Sequence, residues 1–387
     1  MDVTERPPAL VLRGVRVLDQ SGGFSDPLDV AARHGRIDAV GPRVPRPADA
    51  WEIDAAGLWL LPGIFDCHAH VNVSTFDADE RASMPASQRA DEATQALQST
   101  LRAGVTSLRD AGGAAQSLRR AVAHVAPPAP RLQICVAGLS ARDDMRRAVR
   151  ELVAGGADWI KLMATPGVLS GADPCLPLLS DDEIGAAADE AARHGKPVMV
   201  HAHGGPALRA AILAGARSIE HGLFLTEDDA ELMARHGCTL VPTLAIYHEL
   251  AAPDASRRLG VTVDMAADLV PRLGEAVRIA HAAGVRIALG SDFAHRDQHG
   301  RNLVELVHLR RAGLSPEEAL LAGTASGASL CGVADRLGRI AAGCAFDALL
   351  LDADPGDLSC FARTDAVTGV FLGGVPVLPH ARLAGVR

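Results

Sequence analysis

Between residue 100 and residue 291 the chain repeats one local pattern. An Ala- and Arg-rich segment with helical spacing runs into Gly, and a short apolar stretch follows. Gly104, Gly156, Gly195, Gly215, Gly237 and Gly284 all stand at such junctions. Glycine accepts the left-handed backbone that ends a helix, and alternation of helix and strand calls for parallel pairing with crossover helices. Eight strands are predicted, at 64–68, 105–109, 132–137, 159–163, 197–201, 218–221, 239–243 and 285–291. Eight such units predict an α/β fold of the (β/α)8 TIM-barrel type, with its chemistry at the C-terminal strand ends. An open doubly wound sheet is the alternative.

The two ends of the chain read differently. Residues 9–55 alternate apolar and polar positions between Gly, Pro and Asp, and so do the last fifty or so residues. Two β-rich ends around an α/β middle suggest one small composite β-sandwich from 1–60 plus 335–387, with the barrel over 61–334. A chain of 387 residues with 48% hydrophobic content can fill both cores. The net charge of −9 and the lack of a basic stripe argue against a nucleic-acid partner. No apolar run reaches about 18 residues and no secretory leader pattern is seen, so no membrane association and a cytoplasmic location are expected. Seven scattered cysteines without a Cys-x-x-Cys pair suggest reduced thiols. The expected partners are a small-molecule substrate and further copies of the chain in a homo-oligomer.

The C-terminal strand ends carry a polar set. The first ends in His68 and His70, which strand geometry turns to one side, where two neutral imidazoles can ligate a borderline-soft divalent metal. Six of the other seven end in Arg109 and Asp110, Lys161, His201 and His203, Glu220 and His221, Thr243, and Ser291 and Asp292. Lys161 stands out because the 38 basic residues include only two lysines, the other being Lys196 in a turn. An amine can become a neutral nucleophile where a guanidinium cannot. Hydrolysis by two metals suits this set. His68, His70 and Asp292 would hold one ion and His201 and His221 the other. Lys161, carboxylated by carbon dioxide, would bridge them as a carbamate. A bridging hydroxide would attack the carbonyl, with Asp292 taking its proton and returning it to the leaving amine.

The run Pro62, Gly63, Ile64, Phe65, Asp66, Cys67, His68, Ala69, His70 resembles the first-strand signature of the amidohydrolase superfamily. Ile160 with Lys161, His201, His221, and Gly290 with Ser291 and Asp292 match that superfamily's later strand positions. The segments 159–170, 200–204 and 218–222 are most similar to the branch of Xaa-Pro and Xaa-Arg dipeptidases, N-acyl-amino-acid hydrolases and ochratoxin amidases. Imidazolonepropionases are related but use one metal and lack the lysine. The resemblance implies a binuclear hydrolase, usually of zinc, acting on an amide bond. Pro166 and Phe346 depart from the branch, where Gly and Ala are usual.

Other readings stay open on these residues. They are hydrolysis of a cyclic amide, imide or lactone, a mononuclear deaminase, and a non-catalytic scaffold. For substrate contacts the candidates are Tyr247, the only tyrosine, and His203, which stands two residues beyond His201. Arg109, His248, His295, Arg296 and His299 could lend the opening positive character.

Overall fold

The computed structural model describes residues 9–122, 128–259 and 266–381. The outermost parts of the expected sandwich segments, 1–8 and 382–387, lie outside these. The chain opens with β1 (Ala9–Val17), β2 (Leu28–Arg33), β3 (Arg36–Gly41), β4 (Ala50–Asp54) and β5 (Trp59–Pro62). β1 is the hub. Its first half pairs with β2 and β4, its second half with β5, and the register shifts between Leu12 and Val15.

The central part carries β6 (Ile64–Ala69), β7 (Val105–Asp110), β8 (Arg131–Ile134), β9 (Gly138–Leu139), β10 (Ile160–Met163), β11 (Val198–Ala202), β12 (Ser218–His221) and β13 (Thr239–Val241). All pairings among them are parallel. They form a three-stranded sheet, β6-β7-β8, and a five-stranded one, β13-β12-β11-β10-β9. The six junction glycines all adopt positive φ, from +63° to +107°. A side chain there would be strained, which is why helix after helix ends on Gly.

Two expectations need correction. The stretch expected as one strand at 132–137 breaks into β8 and β9, because Val136 sits at φ +66°, outside extended geometry. The stretch 285–291 is no ladder strand, and the described residues contain no closed barrel. It makes isolated parallel bridges instead, at Leu240–Ile287 and, just beyond, at Ala69–Phe293. Gly290 allows that close passage, since a Cβ there would lie 2.4 Å from Val241 and 2.9 Å from the His68 Cβ.

After the central part come β14 (Ala348–Leu351), β15 (Val367–Leu372) and β16 (Val375–Leu378). β14 lies antiparallel to β5, Ala348 opposite Pro62 and Leu351 opposite Trp59. One eight-stranded sheet therefore draws on both ends of the chain. Leu12, Val15, Ile53, Leu60, Leu350 and Phe371 share its core. Phe346 has its place there too, its ring 5.0 Å from that of Phe371. Asp347 accepts from Arg131 at 2.6 and 3.1 Å and ties this sheet to β8.

Candidate active site

Four imidazoles meet at the C-terminal ends of β6, β11 and β12. The ring of His68 lies 5.4 Å from His70 and 5.1 Å from His221, and His221 lies 4.5 Å from His201. Asp292 closes the set, with Oδ1 at 3.3 Å from His68 Nε2 and 3.2 Å from His70 Nε2. Burial pushes the Asp292 carboxyl up, but His68, His70 and His221 outweigh that and hold it well below the usual range. Donor atoms of His68, His221 and Asp292 all lie within 4.8 Å of one another. The expected grouping of His68 and His70 with Asp292 thus takes in His221 as well.

Each ring has one nitrogen tied down. His68 Nδ1 donates to Glu220 at 2.5 Å, and His70 Nδ1 donates to the Gly112 carbonyl at 3.0 Å. His221 Nδ1 pairs with Thr243 Oγ1 at 2.7 Å. His201 is reversed: its Nε2 donates to the Pro166 carbonyl at 3.3 Å, which leaves Nδ1 available. A hydrogen bond on one nitrogen selects the tautomer that offers a lone pair on the other, the arrangement found behind metal-bound histidines. Burial, and then the basic groups beside them, hold His201 and His221 well below the ordinary histidine value, so both rings are neutral at pH 7. This donor set fits divalent metal.

Lys161 on β10 is only 2% exposed. Among the described residues its amine has no hydrogen bond or ion pair. Burial lowers its pKa, favouring the neutral amine.

The backbone is shaped for the site as well. Neighbours on a regular strand face opposite ways, yet Glu220 and His221 both contact His68. The φ of +71° at His221 breaks the alternation, and Thr243 at +55° and Asp292 at +54° share the left-handed region. Non-glycine residues held there cost about 1–3 kcal/mol each and cluster where function requires them.

Beneath the imidazoles lies a network that sequence reasoning missed. Arg109, expected at the opening, is fully buried and donates to both Glu220 oxygens at 3.0 and 3.1 Å. Its guanidinium stacks 4.4 Å over Trp159. Burial raises the Glu220 carboxyl, but Arg109, His68 and Lys161 bring it down to about 2. Both residues stand at strand ends in the sequence, but 111 residues separate them and no local signal pairs them.

A cavity of about 710 Å³ opens over the polar set, lined by His68, His70, Lys161, His201, His221 and Asp292 at its polar end. Tyr247, on the helix Leu244–Leu250, also lines it, its ring 6.3 Å from His221. His203 does not. It is 0% exposed, neither ring nitrogen has a partner, and its ring packs 4.7 Å from His201. β11 ends at Ala202, so strand parity no longer aims His203 toward substrate. The expected basic opening is not there either. Arg296 pairs with Glu80, His248 stacks on His308 at 3.8 Å, His295 stacks on Phe76, and His299 is buried beside Thr100.

Histidines, a carboxylate and an unpaired buried lysine around the ends of parallel strands define the class of metal-dependent hydrolases. Residues 59–377 match the model of the amidohydrolase family, to which this chain belongs. It is thereby a hydrolase of carbon–nitrogen bonds. An uncharacterized protein of Mycobacterium tuberculosis is 32% identical over 276 residues, 68% of this chain and 72% of that protein. Ochratoxinase of Aspergillus niger is 29% identical over 367 residues, 81% of this chain and 75% of the enzyme. The crystal structure of a prolidase complexed with N-methylphosphonate-L-proline superposes with a TM-score of 0.89 at 32% identity, covering 96% of this chain and all of that one. No described helix is long and apolar enough to cross a membrane.

Proposed function

We propose that this chain hydrolyses the amide bond of a small substrate, a dipeptide or an N-acyl amino acid, with two divalent metals, zinc first among them. The observation that carries this reading is Lys161, a buried amine without a partner beside four imidazoles and Asp292. A lone ammonium has no stable place there. Attack of the neutral Nζ on carbon dioxide forms an N–C bond and releases one proton. The product would be an anionic two-oxygen ligand on the same cavity wall as the histidines and Asp292. His68, His70 and Asp292 would hold one ion, and His201 and His221 the other. When bound, the metals supply a water acidified to a pKa of about 7 and a polarised carbonyl.

The residues of the chain do the rest. Asp292, held between His68 and His70, carries the proton of the attacking water to the leaving amine. The Tyr247 phenol, on the cavity wall beside His221, donates to the scissile carbonyl oxygen as charge builds on it. The relatives support amide chemistry, one being a prolidase and another an ochratoxinase.

The same reading treats the two parallel sheets as arcs of one eight-stranded barrel over 61–334, with the chain ends as a separate sandwich. With β8 and β9 counted as one interrupted strand, residues 285–293 would be the eighth. Backbone bonds from Cys67 N to Leu289 O at 2.8 Å and from Asp292 N to His68 O at 2.7 Å support that role.

Metal content measured together with hydrolysis of a panel of N-acyl amino acids and dipeptides tests the proposal. About two metals per chain and cleavage that a chelator abolishes are expected. One metal per chain, with deamination in place of acyl release, would sink it.

A further inference from the structure

One cation on the cavity wall takes no part in bond cleavage. Arg81 lies on the short helix Ala78–Ser83 and lines the cavity with Phe76 and Val73 from the same connection. Its Nη1 donates to the Thr75 carbonyl at 3.2 Å, which holds the guanidinium from one side. Among the described residues no carboxylate lies within ion-pair distance of it.

Two acids close to it in sequence are taken. Glu80 accepts from Arg296 at 2.5 Å and from Thr75 Oγ1 at 2.8 Å. Asp77 caps the helix, accepting from the Asp79 and Glu80 amides at 2.9 and 3.0 Å. Arg258 and Arg301 do not line the cavity and both pair with Glu249. Among the described residues Arg81 is the one guanidinium on the cavity wall, and the rest of that wall beyond the polar end is largely apolar, with Val136, Met163, Val168, Ile246 and Leu250.

We propose that Arg81 binds a free carboxylate of the substrate, which makes the substrate class an amide of an amino acid with a free α-carboxyl and an apolar side chain or acyl group. This rests on the amide-hydrolase reading above and specifies its substrate. A guanidinium receives a carboxylate through two parallel N–H donors. That contact would anchor the amino-acid end while the apolar wall receives the remainder. It would also keep the carboxylate away from Asp292, which repels it.

The test compares an N-acyl-L-leucine with the same N-acyl-L-leucinamide, a neutral analogue of nearly equal shape, by release of the acyl acid. Wild type should favour the free acid by about tenfold or more in kcat/KM. Arg81→Ala should lose roughly tenfold to a hundredfold on the acid, the span of a charged hydrogen bond, mostly through KM. On the amide it should lose less than about threefold, with metal content unchanged. Arg81→Lys should recover part of the loss, and Arg81→Glu should reverse the preference. Equal losses on both substrates, or none on either, would overturn the assignment of Arg81 while leaving amide cleavage intact. If metal-loaded wild type cleaves neither these compounds nor any dipeptide, the amide reading itself fails, and this proposal with it.

Discussion

Glu220 and His68 meet at 2.5 Å in the interior, carboxylate oxygen to Nδ1, with neither residue more than 1% exposed. The contact joins β12 to β6, and Arg109 on β7 clamps Glu220 from its other side. Three strands from the two separate parallel sheets are thus tied through one carboxylate. The guanidinium neutralises Glu220, and Glu220 in turn sets the tautomer of His68, so that Nε2 faces Asp292.

Glu220→Gln should therefore weaken two things at once. The amide can still accept from His68, but it leaves the Arg109 charge buried without a counterion, a loss of about 3–5 kcal/mol for such pairs. Metal affinity should fall roughly tenfold to a hundredfold, as for other groups behind metal-bound histidines. Thermal unfolding and metal titration of the same preparation measure both. Unchanged metal affinity in a destabilised protein would make Glu220 a purely structural residue.

Lys161→Ala removes the amine proposed to become the bridge. Metal content is expected to fall from about two per chain, with activity down by at least about a hundredfold, the scale on which a catalytic group contributes. Bicarbonate during metal loading should raise the activity of wild type and leave the variant unchanged. Metal content and activity near wild type in the variant would exclude a carbamate.

Tyr247→Phe keeps the ring against His221 and removes only the hydroxyl. Loss of one donor to a developing oxyanion lowers kcat by about a hundredfold to a thousandfold. Metal content and melting temperature should stay put. A change in KM alone would assign the hydroxyl to substrate binding.

The stacked pair His248 and His308 predicts a pH effect on stability away from the candidate site. Burial, then the charges of His248 and Arg311, hold His308 down to about 3 from the ordinary 6.5. Below pH 6.5 the unfolded chain takes up a proton that the native state refuses. Stability from this group is therefore intact above pH 6.5 and declines as the pH falls toward 3, by at most about 1.4 kcal/mol per pH unit. Urea unfolding at pH 7.5 and pH 5 should show a smaller acid loss for His308→Leu than for wild type. Equal losses would exonerate His308.

Much of this protein is legible in its residue order, because the relevant physics is local. Glycines that end helices, apolar strand runs and alternating chain ends fix which elements form. Pro62 and Gly63 before the two histidines, the near absence of lysine around Lys161, and Asp292 after Gly290 mark the polar strand ends without reference to anything distant. Strand parity put His68 and His70 on one side, and the structure keeps them there.

Parity fails where the backbone leaves the strand. His203 lies beyond the end of β11 and turns into the core, and the left-handed φ of His221 brings it to the same side as Glu220. Likewise Val136 splits one expected strand into two, a choice made by the surroundings of that residue rather than by its type. Arg109 and Glu220 are 111 residues apart, so no spacing rule links them. A charged residue near a strand end is equally suited to solvent or to a buried partner, and only the packed interior shows which applies. Local sequence determined most of the elements and the polar residues at their ends. Tertiary structure decided the partners, because pairing of buried charges depends on which strands end up side by side.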